Sequence, residues 1–254
     1  MCEGKSVTSA LAGVAVVTGA SGGIGRATAC ALAAEGMSIC LTGRDVGRLQ
    51  DTATEIGQRA PQVLVHPADL STDEGIRGLV ARVGTDIRRI DVLVNAAGTM
   101  RLGDVESVGW DDLDEQYRVN LRAPFLLTKA FLPMLKETRG QVVFVNSTAG
   151  LTAGADNGLY AASKHALRSI AGSIRDHVNP YGIRVVSIFP GRTATAMQEA
   201  VHRFEGRSYE AAELVQAGDV AELIVGALTL SRTAEVTDVT VRPMKKPAHG
   251  RQCG

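Results

Sequence analysis

Ala15, Val16 and Val17 form a short apolar run. Thr18-Gly19-Ala20-Ser21-Gly22-Gly23-Ile24-Gly25 follows at once and leads into Arg26-Ala27-Thr28-Ala29-Cys30-Ala31-Leu32-Ala33. The order reads as strand, glycine-rich turn and helix, and it restricts the fold more than any other stretch of the chain. Glycine has no Cβ, so main-chain N–H groups can approach a phosphate closely, and the N-terminus of the following helix adds unpaired donors and a positive dipole end. The spacing of Gly19, Gly23 and Gly25 is G-x-x-x-G-x-G, not the common G-x-G-x-x-G. A glycine loop by itself can be no more than a tight turn. The strand before it and the helix after it favour a dinucleotide pyrophosphate as its ligand.

Six further apolar runs are spaced along the chain: Ser38–Thr42, Val63–His66, Asp91–Val94, Val142–Asn146, Arg184–Phe189 and Val236–Arg242. Helical stretches separate them. With 254 residues and 45% hydrophobic content, the chain can bury one large core. The strand–helix alternation then predicts a single α/β domain with a doubly wound parallel sheet of about seven strands, flanked by helices. This catalytic domain is expected over residues 1–247, with Ala248 to Gly254 a flexible tail beyond Pro243-Met244-Lys245-Lys246-Pro247. There is no internal repeat beyond the alternation and no low-complexity segment.

Ser147 stands at the carboxyl end of the Val142–Asn146 strand, where open α/β sheets place their ligand crevice. Tyr160 follows 13 positions later, and Lys164 one helical turn after that. Residues four apart share a helix face, so an ammonium can lie beside a phenol. A free phenol titrates near pH ~10; a neighbouring cation favours phenolate and draws the value toward neutrality, where general acid/base work is efficient. Tyr-x-x-x-Lys alone is common on helices, so its company decides. Asn120 lies in an apolar helix expected from Tyr117 to Lys136, where an amide has no packing reason to be.

Taken in order and spacing, Thr18-Gly19-x-x-x-Gly23-x-Gly25, Asn95-Ala96-Ala97-Gly98, Asn120, Ser147, Tyr160-x-x-x-Lys164 and Pro190-Gly191 with Thr195 resemble the classical short-chain dehydrogenase/reductases over nearly the whole chain. The resemblance implies a Rossmann-type fold and hydride exchange between a nicotinamide nucleotide and a carbonyl compound or its alcohol. It implies that Tyr160 protonates the carbonyl oxygen, or deprotonates the alcohol. Lys164 would lower the Tyr160 pKa and hold the nicotinamide ribose, Ser147 would bind the substrate oxygen, and Asn120 would hold a relay water. Cofactor contacts would come from Gly19, Ser21, Gly23, Ile24 and Gly25, from Asp69 and Leu70 at the adenine, from Asn95, Ala96 and Gly98, and from Pro190, Gly191, Thr193 and Thr195 at the carboxamide. Alanine at position 96, where the family often has asparagine, leaves Asn95 intact.

Charge argues for the nucleotide. Gly43 follows the Ser38–Thr42 strand at the position where an acidic side chain would take both ribose hydroxyls and repel a 2′-phosphate. Arg44 comes next and suits a phosphate. NADP(H) is therefore expected ahead of NAD(H). Asp45 is the competing signal, better explained as a helix N-cap before Val46; Asp69 could likewise be a plain cap before Ser71.

The rest of the composition excludes classes. Lys plus Arg and Asp plus Glu balance at 27 each, giving no footprint for nucleic acid or an anionic membrane. No apolar run approaches the ~20 residues of a spanning helix, and the first six residues have no signal-peptide core, so a cytoplasmic protein is expected. Cys2, Cys30, Cys40 and Cys253 lack zinc-ligand spacing, Cys30 and Cys40 reading as small core residues, and histidines such as His66, His165 and His177 show no metal pairing. No metal is expected.

Substrate walls are expected from Met100 and Arg101, from Leu151 to Asn157, and from a lid between Ala194 and about Gln216 carrying Met197, His202, Phe204 and Tyr209. Arg101 or Arg192 could hold an acidic substrate group, though surface arginines are usually solvated. The family resemblance implies a homodimer pairing the Tyr117–Lys136 and Gly158–Val178 helices, or a homotetramer. A nucleotide-sensing protein that lost its chemistry would be expected to lack Ser147, Tyr160 or Lys164, and all three are present. An epimerase of the longer related group would need a larger second domain, and enoyl reductases show a wider Tyr-to-Lys spacing.

Overall fold

The computed structural model describes residues 11–245. Cys2, Cys253 and the expected tail from Ala248 to Gly254 lie outside the described residues. The seven apolar runs become β1 (Val14–Thr18), β2 (Ser38–Thr42), β3 (Val63–Val65), β4 (Val92–Asn95), β5 (Gln141–Val145), β6 (Arg184–Pro190) and β7 (Asp238–Val241). They form one sheet in the order β3-β2-β1-β4-β5-β6-β7, and every neighbouring pair is parallel. The helices between them are α1 (Gly23–Ala34), α2 (Val46–Ile56), α3 (Asp73–Asp86), α4 (Trp110–Tyr117), α5 (Ala123–Thr138), α6 (Gly158–Val178), α7 (Ala196–Phe204) and α8 (Ala217–Thr229).

Period-two alternation decides which helix packs where. Ala15, Val17, Ile39, Leu41, Val92, Val94, Val143 and Val145 point to one face and meet Leu32 of α1, Leu49 of α2 and Ile224 of α8. Val16, Cys40, Leu93, Val142 and Phe144 point to the other and meet Leu79 of α3, Phe131 of α5 and Leu167 of α6. A sheet covered on both sides needs continuously apolar strands, which is why β1, β4 and β5 read as unbroken runs. Each fully buried Leu or Phe contributes ~1.5–3 kcal/mol relative to exposure, so both faces hold the single domain together. Cys40 sits in this second core, as expected for a small apolar residue; Cys30 is half-buried.

β2 and β3 lie to one side of β1, and the chain then crosses to place β4 on its other side. The loops leaving β1 and β4 diverge there and open a crevice at the carboxyl ends of the strands.

The helix expected over Tyr117–Lys136 is present throughout that stretch, with one wide turn inside it. α4 and α5 are joined by a π-helical turn, Arg118–Arg122, in which the Ala123 N–H reaches back to the Arg118 carbonyl. The turn carries Asn120, whose amide is fastened to Thr99 and Ser163. A single wide turn inside a helix is a common way to re-aim one side chain at a functional site. β7 is shorter than the alternating run suggests, its residues alternating between exposed and half-buried at the sheet edge. No helix among the described residues is long and apolar enough to cross a membrane.

Candidate active site

The crevice divides into two connected cavities. The first, about 640 Å³, is a groove between the glycine turn, the ends of β2 and β3 and the β4 loop. The second, about 500 Å³, lies between the β5 loop, the start of α6 and α7. Ile24, Asn146, Tyr160, Thr195 and Met197 line both.

The glycine turn is shaped by what a Cβ would strike. Gly19 has a φ of +67°, and a Cβ on it would stand 2.8 Å from the Ala97 nitrogen. On Gly25, a Cβ would stand 2.3 Å from the Gly19 carbonyl oxygen, so α1 approaches β1 only because that residue has no side chain. α1 begins after Gly22 with no side-chain cap, which leaves its first N–H groups free to face an anion. Thr18 locks the opposite wall: its Oγ1 accepts from the N–H groups of Ala96 and Ala97, both at 3.0 Å. Gly19, Ser21, Gly23, Ile24, Gly25, Ala96 and Gly98 all line the groove.

At the far end of the groove stand Gly43, Arg44, Arg48, Asp69 and Leu70. A Cβ on Gly43 would lie 3.2 Å from Ser21 Oγ. Asp45 turns away as the N-cap of α2, accepting from the Arg48 N–H at 3.0 Å, as the sequence suggested. Arg48, one helical turn after Arg44, is an addition; the helix start at Asp45 was the signal that could have placed it. Asp69 stands at the groove without capping the helix that follows. It lines the groove, and it accepts from Ser71 N and Oγ at 2.9 and 2.7 Å. Burial opposes its ionisation, but those hydrogen bonds and the Arg44 charge prevail and hold the carboxyl below its usual value. Thr72, not Asp69, caps α3.

Asn95 does not reach the groove. It is buried, and its Nδ2 donates to Thr128 Oγ1 of α5 at 3.4 Å. The main chain beyond it, Ala96 to Thr99, forms the wall instead. Asn120 also stays behind the surface, accepting from Thr99 N and donating to Thr99 O, each at 2.8 Å, and donating to Ser163 Oγ at 3.0 Å. It clamps the β4 loop to α6.

Ser147, Tyr160 and Lys164 come together where the two cavities meet. Ser147 Oγ accepts from Ala149 N at 3.1 Å, and its hydroxyl stands at the wall of the second cavity beside the Tyr160 phenol. Asn146 organises the cluster: its Oδ1 accepts from Ser147 N at 2.8 Å and its Nδ2 donates to the Lys164 carbonyl at 3.1 Å, tying β5 to α6. By sequence Asn146 is only the end of a strand, but two consecutive polar residues at a strand end facing the crevice are the signal that marks it.

Lys164 is buried; its Nζ donates to the Val145 carbonyl at 3.0 Å and lies 5.8 Å from the Tyr160 ring centroid. Burial brings this ammonium down to about 8. Burial also pushes the Tyr160 phenol up to about 12, with the Ser147 hydroxyl pulling the other way. The net shift of Tyr160 is thus upward, opposite to the lowering expected from a neighbouring cation, because burial is its largest cause. Helical spacing gives proximity, but both groups lie deep and the Lys164 ammonium is held to a main-chain carbonyl over the ring face.

Pro190, Gly191 and Thr193 line the second cavity, and Thr195 lines both. Thr195 Oγ1 already caps α7 by accepting from Gln198 N at 3.3 Å, while donating to Thr193 O at 3.2 Å. The lid segment is stapled at its base, where Ala194 N donates to Val215 O at 2.8 Å and Val215 N to Arg192 O at 3.1 Å. Met197, Phe204, Met100 and Asn157 reach the cavity; His202 and Tyr209 pack on each other instead, with ring centroids 5.4 Å apart. Neither arginine offered for an acidic group is free. Arg101 pairs with Glu115 at 3.0 Å, and Arg192 pairs with Glu205 through two contacts of 2.6 and 2.8 Å. His66 packs its Nε2 3.2 Å from Asp86, and among the described residues no three His, Cys, Asp or Glu side chains converge as a metal site would require.

Residues 13–206 match the family described as short chain dehydrogenase. An "Uncharacterized oxidoreductase" of Staphylococcus aureus (strain MRSA252) is 30% identical over 232 residues, covering 91% of this chain and 97% of that protein. Another, from Staphylococcus epidermidis (strain ATCC 12228), is 32% identical over the same shares of both chains. Among solved structures, an alcohol dehydrogenase from the archaeon Thermococcus sibiricus complexed with 5-hydroxy-NADP superposes with a TM-score of 0.84 at 28% identity, covering 93% of this chain and 99% of that one. A metagenomic short-chain oxidoreductase in complex with NADP does so with a TM-score of 0.80 at 31% identity, covering 94% and 100%.

Proposed function

The chain belongs to the short chain dehydrogenase family, and from that premise we propose that it is an NADP(H)-dependent oxidoreductase interconverting a ketone or aldehyde and its alcohol, with Tyr160 as general acid/base. One observation carries the reading. Of the residues lining both cavities, Tyr160 alone has an acidic proton to give, so a nucleotide in the groove and a carbonyl in the second cavity would meet at its hydroxyl.

The groove fits a dinucleotide. Gly19, Gly25 and Gly98 keep its lining free of side chains, and the uncapped start of α1 suits the pyrophosphate. Asp69 and Leu70 suit the adenine end. Arg44, with Arg48 beside it, suits a ribose 2′-phosphate, and Gly43 leaves no acidic group to repel one. That favours NADP(H) over NAD(H). A nicotinamide held in the groove would supply or take up the hydride. In the reductive direction, the Ser147 hydroxyl and the Tyr160 phenol donate hydrogen bonds to the carbonyl oxygen and polarise it, and the Tyr160 proton moves to that oxygen as the alcohol forms. A phenol raised by burial stays protonated through the neutral range, as an acid must. Lys164, whose ammonium lies over the Tyr160 ring and lines the groove, would offset the charge of the resulting phenolate, which takes a fresh proton from solvent before the next cycle, and would hold the nucleotide ribose. Asn120 positions the β4 loop and, through Ser163, the face of α6 that carries Tyr160 and Lys164.

Self-association belongs to the same reading. Trp110, Leu113 and Tyr117 of α4 leave an apolar stripe exposed next to Phe125 of α5, a face suited to a second copy in a dimer or tetramer. The reaction is tested by following NADPH and NADH oxidation against a panel of ketones, aldehydes, quinones and keto-steroids. Turnover favouring NADPH is expected. A preference for NADH would overturn the assignment of Arg44, and nucleotide binding without reduction of any carbonyl would favour a sensing protein.

A further inference from the structure

The second cavity sets Met100, Leu102, Met197, Val201 and Phe204 among neutral polar side chains such as Thr152, Asn157 and Gln198, and its lining carries charge on three side chains only: Asp156, Arg192 and Glu205. The single cation among them is already engaged. Arg192 Nη2 donates to Glu205 Oε1 at 2.6 Å and Nη1 to Oε2 at 2.8 Å, the bidentate geometry in which a guanidinium binds a carboxylate best. Both partners are fixed from behind. The Arg192 carbonyl accepts from Val215 N at the base of the lid, and Glu205 closes α7, its N–H donating to Val201 O at 2.9 Å. Arg207 lies 3.7 Å from the same carboxylate. The two side chains of the pair are about three-quarters buried, at 29% and 26% exposure, where charge is less screened than on an open surface.

An incoming anion would have to displace Glu205 from Arg192 and then sit beside two carboxylates, that of Glu205, left with only the 3.7 Å contact to Arg207, and that of Asp156. Like charges brought together at an interface cost several kcal/mol. An uncharged ligand meets no such barrier and finds methionine, leucine and phenylalanine side chains to bury against. Building on the carbonyl-reductase reading above, we infer that Glu205 is a specificity-determining residue that neutralises Arg192 and reserves the second cavity for uncharged carbonyl compounds. Removing the Glu205 charge alone would convert Arg192 into a site for acids. Specificity here comes from a repulsive element as much as from attraction to the preferred ligand.

The experiment compares ligands that differ only in charge. Turnover with NADPH is measured for 4-oxopentanoate and its methyl ester, and binding to the NADP-loaded protein is measured by calorimetry for benzoate and benzamide. Wild-type protein is expected to favour the neutral member of each pair by about tenfold or more. Glu205→Gln keeps the length and one acceptor for Arg192 but removes the charge; it is expected to shrink that preference by about tenfold or more by raising use of the acid. Arg192→Met, which leaves both carboxylates, is expected to keep or deepen the rejection of acids. An acid used or bound as well as its neutral counterpart by wild type, or an unchanged preference in Glu205→Gln, overturns the inference, as does binding of neither benzoate nor benzamide. Benzamide bound in preference to benzoate without reduction of any carbonyl in the wider panel supports the inference and defeats the reductase reading, so the two failures are distinct.

Discussion

Gly25 is where α1 and the turn after β1 come closest, and Gly25→Ala puts that contact to the test. An added Cβ would lie 2.3 Å from Gly19 O, 2.7 Å from Gly19 C and 3.1 Å from Thr18 O, all main-chain atoms that no rotamer change can move. Ordinary contact begins at 3.4 Å, so the helix start must move away from the turn by about 1 Å. Ala29, Leu32 and Ala33 bury the next turns of α1 and resist that shift. Overpacking of this kind costs ~1–3 kcal/mol. The same movement takes the first N–H groups of α1 away from the pyrophosphate; losing one charge-assisted hydrogen bond costs ~1.5–3 kcal/mol, or roughly tenfold to a hundredfold in NADPH affinity. Urea unfolding with and without NADPH reads both effects. Nucleotide at a hundredfold excess over Kd stabilises by ~2.7 kcal/mol, and a tenfold weaker Kd removes ~1.4 kcal/mol of that. Gly84→Ala in α3, where a Cβ meets nothing within 4 Å, is the control and is expected to gain ~0.5–1 kcal/mol. A Gly25→Ala protein with the wild-type midpoint and undiminished stabilisation by NADPH would refute the close approach and the phosphate site built on it.

Arg44→Glu places a carboxylate at the ribose end of the groove and is expected to reverse the ratio of kcat/KM for NADPH over NADH by about a hundredfold, two charge contacts at ~1.4 kcal/mol each; an unchanged ratio would remove Arg44 from cofactor choice. Lys164 makes stability depend on pH in a defined window. Unfolded, it keeps its proton to about 10.5, and folded only to about 8, so between those values the unfolded state binds more protons and stability rises with pH, at up to ~1.4 kcal/mol per unit. Denaturant unfolding of wild type and Lys164→Met at pH 8 and 9.5, below the range where Tyr160 contributes with opposite sign, should show the wild type gaining ~1–2 kcal/mol relative to the variant; parallel curves would contradict the buried, depressed ammonium. Asn146→Ala removes the clamp between Ser147 and α6 and leaves buried partners unpaired, so thermal unfolding should show a loss of ~1–3 kcal/mol, with wild-type stability counting against that role.

The strands were legible because a sheet buried on both faces demands runs such as Val92-Leu93-Val94 and Val142-Val143-Phe144, and the crevice because glycine, serine and asparagine stand where those runs stop. Contacts made by depth or by chain closure were not. Asn95 could equally have faced groove or helix from its strand end, and Thr128, 33 positions away, decided it. Nothing local in Arg118–Arg122 announces a wide turn; the amide of Asn120 and its anchors on Thr99 and Ser163 account for it. The Tyr160–Lys164 spacing gave their neighbourhood but not their burial, and burial reverses the direction of the phenol's shift. Arg192 looked like a free cation because Glu205 reaches it only after α7 folds back across the cavity.

The central claim is that the Tyr160 hydroxyl delivers the proton. Wild type and Tyr160→Phe should be compared for NADPH-dependent reduction of the best carbonyl found, with NADPH affinity measured on both. The account predicts a loss of ~10²–10⁴ in kcat, with nucleotide affinity changed by no more than a few-fold. Turnover within a few-fold of wild type, at unchanged NADPH affinity, would contradict it.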